Sequence, residues 1–253
     1  MNFDPAYNPF SLVGKTILIT GASSGIGRAT AIECSKLGAR CIITGRNEER
    51  LNETLAQMVG DEHQIAVCDL DNSSAIDSMV DSLPVLSGLV NNAGFNIIAP
   101  VQFIKEDDLK KILQTNTIAP IILLQKLLKK KKITKGSSVV FTSSLAGIGI
   151  NSPGNDMYSA TKGAISAFVR NAALDLAPKK IRVNAVCPGM VHTQFVDHGI
   201  YSEEQLQENM KKYPLGRWGE PNDVAHAMIY LLSDASSWVT GTNMILDGGV
   251  SIK

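Results

Sequence analysis

The amino-acid sequence predicts an α/β fold in which a parallel sheet of about seven strands carries helices on both faces, the doubly wound architecture. Three observations lead to this prediction. Short apolar runs recur along the chain, segments with helical spacing separate them, and a glycine-rich turn follows the first run. Each run is short, apolar and without strict alternation, which is typical of a strand buried on both faces.

The expected strands and helices alternate through the whole chain. The segment from Glu106 to Leu128 is helical in pattern but contains Pro120, so we expect a kink there. The segment that begins near Ala160 should continue as a helix to Leu176. The seven expected strands are Thr16–Ile19, Arg40–Ile43, Gln64–Val67, Gly88–Val90, Ser138–Phe141, Ile181–Val186 and Asn243–Leu246.

The length of the chain and the lack of a linker after Gly14 indicate one domain, residues 14–253, after an N-terminal arm, residues 1–13. Apolar residues make up 44% of the 253, and 24 basic side chains balance 24 acidic ones. This balance argues against nucleic acid or an anionic membrane as partner. The N-terminus has no signal-peptide pattern, so we expect a cytoplasmic protein. The four cysteines are scattered without metal-ligand spacing, so we expect buried thiols and no metal site.

The glycine-rich turn Thr20–Gly27 lies between the first strand and the first helix. Glycines allow the backbone to approach a pyrophosphate, and the free N–H groups at the helix start attract its charge. A glycine-rich loop could also be no more than a tight turn, but its place between a strand and a helix argues against this alternative. The residues of the turn that we expect to contact a dinucleotide are Gly21, Ser23, Ser24, Gly25, Ile26 and Gly27.

The end of the second strand bears on which dinucleotide binds. An acidic residue there would hold a free ribose 2′-hydroxyl, whereas an arginine suits a 2′-phosphate. Thr44 and Gly45 offer no carboxylate, and Arg46 offers a planar guanidinium. The sequence therefore favours NADP(H) over NAD(H). The alternative is that Arg46 only pairs with Glu48 or Glu49 on the surface.

Tyr158 and Lys162 are four residues apart in a helical segment, so both can face one space. A nearby ammonium would favour the phenolate and lower the tyrosine pKa, making Tyr158 a usable acid or base near neutral pH. This pair alone is weak evidence, since the spacing occurs by chance on many helices.

Taken together, these motifs resemble the short-chain dehydrogenase/reductase family, whose fold is of the Rossmann type, over nearly the whole chain after Gly14. Any single match could be accidental, but their joint order is specific. The matching pieces are Thr20–Gly27, Asp69-Leu70, Asn91–Gly94, Asn116, Ser143-Ser144, Tyr158 with Lys162, and Pro188-Gly189 followed by Thr193.

The resemblance implies a role for each matching residue. Tyr158 would protonate the carbonyl oxygen, Ser144 would hydrogen-bond it, Lys162 would lower the Tyr158 pKa and bind the nicotinamide ribose, and Asn116 would hold a water in the proton relay. Ser143 competes with Ser144 for its role. The remaining cofactor contacts it implies are Asp69 and Leu70 at the adenine, Asn92, Ala93 and Gly94 after the fourth strand, and Pro188, Gly189, Val191 and Thr193 toward the nicotinamide.

Some of these residues have simpler explanations, and the chain departs from the family pattern in three places. Asn116 could brace a kinked helix, and Asp69 could be a turn residue. Ser144 and Tyr158 are 14 positions apart, one more than the common family spacing, so a residue should bulge within Ile148–Met157. The segment Asp81–Gly88, before the fourth strand, is shorter than the helix and turn that are usual there in the family. Ser24 stands where many NADP(H)-dependent members have a basic residue, so Arg46 carries the cofactor assignment almost alone.

The substrate is less well defined than the chemistry. Residues 191–213 should form a lid over it, and the tail from Pro214 to Gly249 is similar to that of bacterial 3-oxoacyl-[acyl-carrier-protein] reductases. Those enzymes dock an acidic carrier through basic side chains beside the active-site mouth, in regions that correspond to Lys129–Lys132, Lys179 and Lys180. Lys129–Lys132 could equally be a solvated helix end.

Three functions remain open on the sequence. The first is reduction of a 3-oxoacyl thioester, the second oxidation or reduction of a steroid, sugar alcohol or other ketone, and the third a regulatory protein that binds the nucleotide without catalysis. A complete set of catalytic residues argues against the third. The resemblance also implies a homotetramer built from the helices after the fourth and fifth strands and from the C-terminal helix and strand.

Overall fold

The computed structural model describes residues 7–193 and 203–253, and its seven strands form one parallel sheet in the order β3-β2-β1-β4-β5-β6-β7. This confirms the predicted fold class. The direction in which strands are added reverses between β1 and β4, and such a point opens a crevice at the carboxyl ends of the strands. The strands are β1 Thr16–Thr20, β2 Arg40–Gly45, β3 Gln64–Val67, β4 Leu86–Asn91, β5 Ile133–Thr142, β6 Arg182–Pro188 and β7 Asn243–Leu246.

The helices lie on both faces of the sheet because alternate residues of each strand point to opposite sides. Leu18 belongs to the core beneath one helical layer, whereas Ile17 and Ile19 belong to the core beneath the other. Both cores are built mainly from apolar side chains, so the strands consist largely of apolar runs. The helices are α1 Gly25–Lys36, α2 Glu48–Leu55, α3 Ser73–Ser82, α4 Glu106–Leu113, α5 Ala119–Lys129, α6 Asp156–Leu176, α7 Glu203–Met210 and α8 Pro221–Leu232.

The long helical segment before β5 is interrupted earlier than we expected. A π-helical turn, Gln114–Ile118, separates α4 from α5, and Pro120 lies in the first turn of α5. A proline is tolerated there because its missing N–H is not needed at a helix start. It also means that the carbonyl of Asn116, four residues earlier, cannot receive the usual helical hydrogen bond. The predicted kink is thus a π turn upstream of the proline.

Two smaller expectations can be compared with the structure. The short segment before β4 is a three-residue connection between the end of α3 at Ser82 and the start of β4 at Leu86. Cys34, Cys41, Cys68 and Cys187 are all buried free thiols. Among the described residues, no cluster of His, Cys, Asp or Glu side chains is arranged to hold a metal ion, and none of the described helices is long and apolar enough to cross a membrane.

The described part of the N-terminal arm packs onto the domain. Leu12 is completely buried in the core beneath α1 and α8, and its backbone N–H donates to the carbonyl of Leu37. The ring of Phe10 lies 6.3 Å from that of Tyr230. Leu12 therefore anchors the described part of the arm in the same core as the strands.

We expect Leu12→Ala to lower the free energy of unfolding by about 2 to 4 kcal/mol, because it removes a buried side chain and leaves a cavity. Val13→Ala is the matched control, since Val13 is 74% exposed, and it should change stability by less than about 0.5 kcal/mol. Urea unfolding of both variants measures the difference. Equal effects would show that the arm is not part of the core.

Candidate active site

A cavity of about 920 Å³ lies at the carboxyl edge of the sheet and is lined by the loops after β1 to β6. Its size is at the upper end of the range for small-molecule and cofactor sites. Every predicted cofactor-contacting or catalytic residue lines it except Gly27 and Asn116. The cavity begins near Arg46, runs past the glycine-rich turn, and ends near Tyr158 and Tyr213.

The glycine-rich turn has room only for glycine at two of its positions. Gly21 has a φ of +65°, and a Cβ there would lie 2.8 Å from the Ala93 Cα. A Cβ on Gly27 would lie 2.3 Å from the Gly21 carbonyl oxygen, so Gly27 allows α1 to pack against the turn and does not face the cavity. The helix α1 starts at Gly25 with no side-chain hydrogen bond from Ser24. Its first N–H groups therefore remain suited to an anion such as a pyrophosphate.

Arg46 and Arg50 both line the end of the cavity next to this turn. Among the described residues Arg46 makes no ion pair, so the alternative in which it binds Glu48 or Glu49 finds no support in the structure. Arg50 was missed by the sequence analysis. Its position, four residues after Arg46 and in the first turn of α2, was the available signal.

The loops after β3 and β4 form the middle of the cavity. Asp69 is also a turn residue, since its Oδ1 accepts the Asp71 backbone N–H at 3.1 Å. Asp71 in turn accepts the Thr115 hydroxyl at 2.7 Å and thereby ties this loop to the π turn. Asp71 and Thr115 line the cavity as well, although the sequence analysis did not identify them.

Ser144, Tyr158 and Lys162 meet at the other end of the cavity. Tyr158 and Lys162 lie on one face of α6, and the Lys162 Nζ is 5.7 Å from the Tyr158 ring centroid. The Lys162 ammonium donates to the Thr142 carbonyl at 2.7 Å, and the Ser144 side chain is hydrogen-bonded to the Tyr158 phenol. The Ser143 hydroxyl is instead bonded to the Lys162 carbonyl, at 3.0 Å, and to Ser166. The structure thus brings Ser144 rather than Ser143 to Tyr158.

The ionisation of this group differs from the sequence expectation. Burial raises the pKa of Tyr158 to about 12, and the Ser144 hydrogen bond only partly opposes it. Burial likewise lowers the pKa of Lys162 to about 8. We had expected Lys162 to lower the Tyr158 pKa, but Lys162 is not among the groups that shift it, and desolvation by burial dominates. The phenol is therefore protonated at neutral pH.

Asn116 lies behind the cavity wall rather than in it. Its side chain accepts the Phe95 backbone N–H at 3.0 Å, donates to the Phe95 carbonyl at 2.8 Å, and donates to the Thr161 hydroxyl at 3.2 Å. A Cβ on Gly94 would lie 3.0 Å from the Asn116 Oδ1 and 3.5 Å from the Lys162 Nζ. The side chain therefore braces the loop after β4, next to Lys162.

The loop after β6 is held by one residue of the predicted lid, Tyr213, and by one residue of the predicted tail, Leu246. The Gly189 N–H donates to the Leu246 carbonyl at 2.9 Å, and the Met190 N–H donates to the Tyr213 hydroxyl at 3.2 Å. Val191 pairs with Gly219 as an isolated β-bridge. Of the predicted lid, residues 194–202 lie outside the described part of the chain, and α7 forms most of the rest.

The wall beyond Tyr158 is formed by residues that the sequence analysis did not single out. They come from the loop after β4, from the irregular loop Ile148–Asn155 between Ser144 and Tyr158, and, for Met190, from the loop after β6. Gly149 and Gly154 there have φ values of +133° and +79°. These residues are Asn96, Ile98, Ile150, Ser152, Asn155 and Met190.

The two predicted lysine regions do not lie beside this cavity. Lys131, Lys135 and Lys179 line a separate depression of about 420 Å³ next to the first residues of β5 and β6. Because the strands are parallel, that position is at the opposite edge of the sheet. Lys130 forms an ion pair with Asp81 at 2.8 Å, and Lys126 pairs with Asp77, so part of this run is bound to α3.

The sheet, the glycine-rich turn before α1 and the buried tyrosine and lysine define a nicotinamide-dependent oxidoreductase acting on alcohol or keto groups. A family model described as enoyl-(acyl carrier protein) reductase matches residues 21–251. The chain belongs to the short-chain dehydrogenase/reductase family.

Two curated relatives and two solved structures illustrate the range of this similarity. The chain is 36% identical to 3-oxoacyl-[acyl-carrier-protein] reductase FabG of Rickettsia felis, over 94% of this chain and 98% of that protein. It is also 36% identical to tropinone reductase homolog At2g29150 of Arabidopsis thaliana, over 96% and 93%. Levodione reductase superposes with a TM-score of 0.90 at 27% identity, over 95% and 99% of the two chains. A gluconate 5-dehydrogenase from Burkholderia cenocepacia, in complex with NADP and tartrate, superposes with a TM-score of 0.89 at 27% identity, over 97% and 98%.

We expect Lys162→Met to abolish activity but to raise the free energy of unfolding at pH 7 by about 1 to 3 kcal/mol. The folded pKa of Lys162, about 8, is below the unfolded value of 10.5. The folded state therefore binds fewer protons between these values, and the cost of charging Lys162 in the wild type disappears as pH rises.

Urea unfolding of the wild type and the variant at pH 7 and near pH 10 measures this difference. The stability gap should narrow toward pH 10. A variant that is less stable than the wild type at pH 7 would show that the Thr142 hydrogen bond outweighs the burial of the charge.

Proposed function

We propose that this protein is an NADP(H)-dependent oxidoreductase that interconverts a carbonyl and a secondary alcohol, with a 3-oxoacyl thioester as the preferred class of substrate. The observation that carries the proposal is the pairing of Ser144 with Tyr158, beside Lys162, at one end of a cavity whose other end holds Arg46. The pairing of Ser144 with Tyr158 suits proton transfer to a carbonyl oxygen. The guanidinium of Arg46 suits binding of a ribose that carries a 2′-phosphate.

The cavity fits a dinucleotide along its length. The N-terminus of α1 can hold the pyrophosphate, with the turn residues Gly21 to Ile26 close enough for backbone contact. Asp69 and Leu70 would border the adenine, and Asn92, Ala93 and Gly94 the middle of the cofactor. Pro188, Gly189, Val191 and Thr193 would meet the nicotinamide end. When bound, the nicotinamide supplies or accepts the hydride.

The protein residues then manage the proton. In the reduction, Tyr158 donates its phenolic proton to the carbonyl oxygen, and Ser144 donates a hydrogen bond to the same oxygen. A phenol with a pKa of about 12 is reliably protonated at neutral pH. The Lys162 ammonium stabilises the phenolate that forms, and it would also bind the nicotinamide ribose. Asn116 would keep its proposed place in the relay through its backbone carbonyl, to which Pro120, four residues later, has no N–H to donate.

Several observations bear on the substrate. Relatives at 36% identity are named as 3-oxoacyl-[acyl-carrier-protein] reductase and as a tropinone reductase homolog, and similar structures are named as levodione reductase and gluconate 5-dehydrogenase. A hydroxysteroid, sugar-alcohol or other ketone substrate is thus the second candidate. A regulatory protein without catalysis is disfavoured by the intact set of Asn116, Ser144, Tyr158 and Lys162.

If the carrier docks on the lysines that the sequence singles out, it binds at the lysine depression. Lys131, Lys135 and Lys179 surround an apolar floor of Leu128, Ile133 and Ile181. An acidic carrier bound there would face away from the cavity of the same chain, so it could deliver its acyl group only to a neighbouring subunit. The carrier proposal therefore depends on the tetramer proposal.

The proposed homotetramer has candidate surfaces on the elements we expected. On the β7 side, Trp238 is 99% exposed and Ile252 is 88% exposed. On the helical side, Leu174 of α6 is 74% exposed. A neighbouring subunit packed on these surfaces would bury these apolar side chains.

Tyr158→Phe should lower kcat by at least about a hundredfold, because the acid is lost, while NADPH binding measured by fluorescence stays within twofold. Tyr7→Phe is the control, since Tyr7 is 76% exposed and outside the cavity. Both variants are assayed with acetoacetyl thioester, diketone, steroid ketone and ketose. Retained activity of the Tyr158 variant with a wild-type substrate would contradict the proposed role.

Arg46→Ser should raise KM for NADPH by about ten- to a hundredfold, as expected for loss of a charge-assisted contact to phosphate. KM for NADH should change little, because that cofactor lacks the 2′-phosphate. Arg170→Ser removes the same charge from an exposed position of α6 away from the cavity and serves as the control. Equal effects on both cofactors would assign Arg46 a role other than phosphate recognition.

A further inference from the structure

Two asparagines link the loops that form the substrate wall of the cavity. The Asn96 Nδ2 donates to the Asn155 Oδ1 at 2.8 Å, and both residues line the cavity. A second bond, from the Ala99 N–H to the Gly154 carbonyl at 2.9 Å, joins the same two loops. The loops are therefore already tied together by backbone, and the asparagine pair adds amide groups to the wall.

The orientation of the Asn155 amide follows from this bond. The Asn155 Oδ1 accepts the hydrogen bond from Asn96, which leaves the Asn155 Nδ2 as the remaining polar atom of the amide. No described residue accepts a hydrogen bond from this Nδ2. The Asn96 Oδ1 is enclosed and also lacks a hydrogen-bond partner among the described residues. Asn155 thus offers a donor to the cavity, and Asn96 keeps that donor from rotating.

The position of Asn155 relative to Tyr158 limits what the donor can bind. Asn155 is the residue before α6 and precedes Tyr158 by three positions. Side chains at this spacing have Cβ atoms about 5 to 6 Å apart. A substrate whose carbonyl oxygen lies at Tyr158 can place a second oxygen at Asn155 only if few bonds separate the two oxygens.

We propose that Asn155 is a specificity-determining residue that donates a hydrogen bond to a second substrate oxygen one or two carbons away from the reacting carbonyl, and that Asn96 is its positioning residue. The inference rests on the proposed function and narrows its substrate class to ketones oxygenated close to the reacting carbon. A 3-oxoacyl thioester is one member of this class, and a simple alkyl ketone is not. Ile98 and Ile150 supply the apolar part of the same wall.

The test compares three substrates of the same chain length with the intact enzyme and NADPH: ethyl 3-oxobutanoate, 4-hydroxyheptan-2-one and heptan-2-one. The wild type should prefer both oxygenated ketones over heptan-2-one in kcat/KM by about tenfold or more. Turnover without such a preference would overturn this inference alone. No turnover of any ketone would overturn the proposed function itself.

Asn155→Asp separates recognition from a purely structural role. The carboxylate still accepts from the Asn96 Nδ2, so the tie between the loops is kept, and aspartate is well tolerated before a helix. The donor, however, is replaced by a negatively charged acceptor. We expect kcat/KM for ethyl 3-oxobutanoate to fall at least tenfold more than that for heptan-2-one. For 4-hydroxyheptan-2-one the fall should be smaller, because its hydroxyl can donate to the carboxylate.

Asn151→Asp is the matched control for the added charge. Asn151 lies on the same loop, is exposed, and accepts the Ser159 hydroxyl at 2.8 Å without lining the cavity. Asn96→Ala should raise KM for the two oxygenated ketones and so reduce the preference for them over heptan-2-one. The reason is that the Asn155 amide would lose the hydrogen bond that fixes its orientation. If Asn155→Asp reduced all three substrates equally, or if Asn151→Asp had the same selectivity effect, the inference would be wrong.

Discussion

The close contact between the loop after β5 and the backbone of α6 is the constraint on which the catalytic geometry depends. A Cβ on Gly147 would lie 2.5 Å from the Lys162 carbonyl carbon, so only glycine allows this approach. The Ser143 hydroxyl adds a hydrogen bond to the Lys162 carbonyl, and the Lys162 ammonium returns one to the Thr142 carbonyl. These contacts fix the end of β5 against α6, and as a result Ser144 and Tyr158 face each other.

The same enclosure sets the ionisation of the site. A phenol and an ammonium are both held away from water, which raises the pKa of the first to about 12 and lowers that of the second to about 8. These shifts keep the Tyr158 phenol protonated at neutral pH. They also allow the Lys162 ammonium to lose its proton near pH 8. A buried ionisable group without an ion-pair partner costs stability. Perturbed groups of this kind cluster at functional sites, where the cost is retained for the chemistry.

Sequence reasoning predicted the parts of the molecule that depend on local chemistry or on motif order. The seven strands, the turn before α1 and the pairing of Tyr158 with Lys162 on one helix face belong to this part. It did not find Arg50, Asn96 or Asn155, because these residues reach the cavity only through the packing of separate loops. It also gave the wrong direction for the Tyr158 pKa, since the extent of burial depends on tertiary structure. The resemblance placed the lysine regions beside the active-site mouth, whereas they lie near the first residues of β5 and β6, at the opposite edge of the sheet.

The loop between Ser144 and Tyr158 is a place where a chain of this fold can change in length without loss of the proton-transfer geometry. Ser144 is fixed by the end of β5, and Tyr158 is fixed by the register of α6 through Lys162, so an insertion between them cannot move either one. It can be absorbed only in the irregular loop Ile148–Asn155, which uses left-handed glycines at 149 and 154. That loop carries Ile150, Ser152 and Asn155 into the cavity wall. A residue added in this loop would therefore leave the proton-transfer geometry unchanged and alter the surface that the substrate meets, so the same chemistry in this fold is compatible with different substrates.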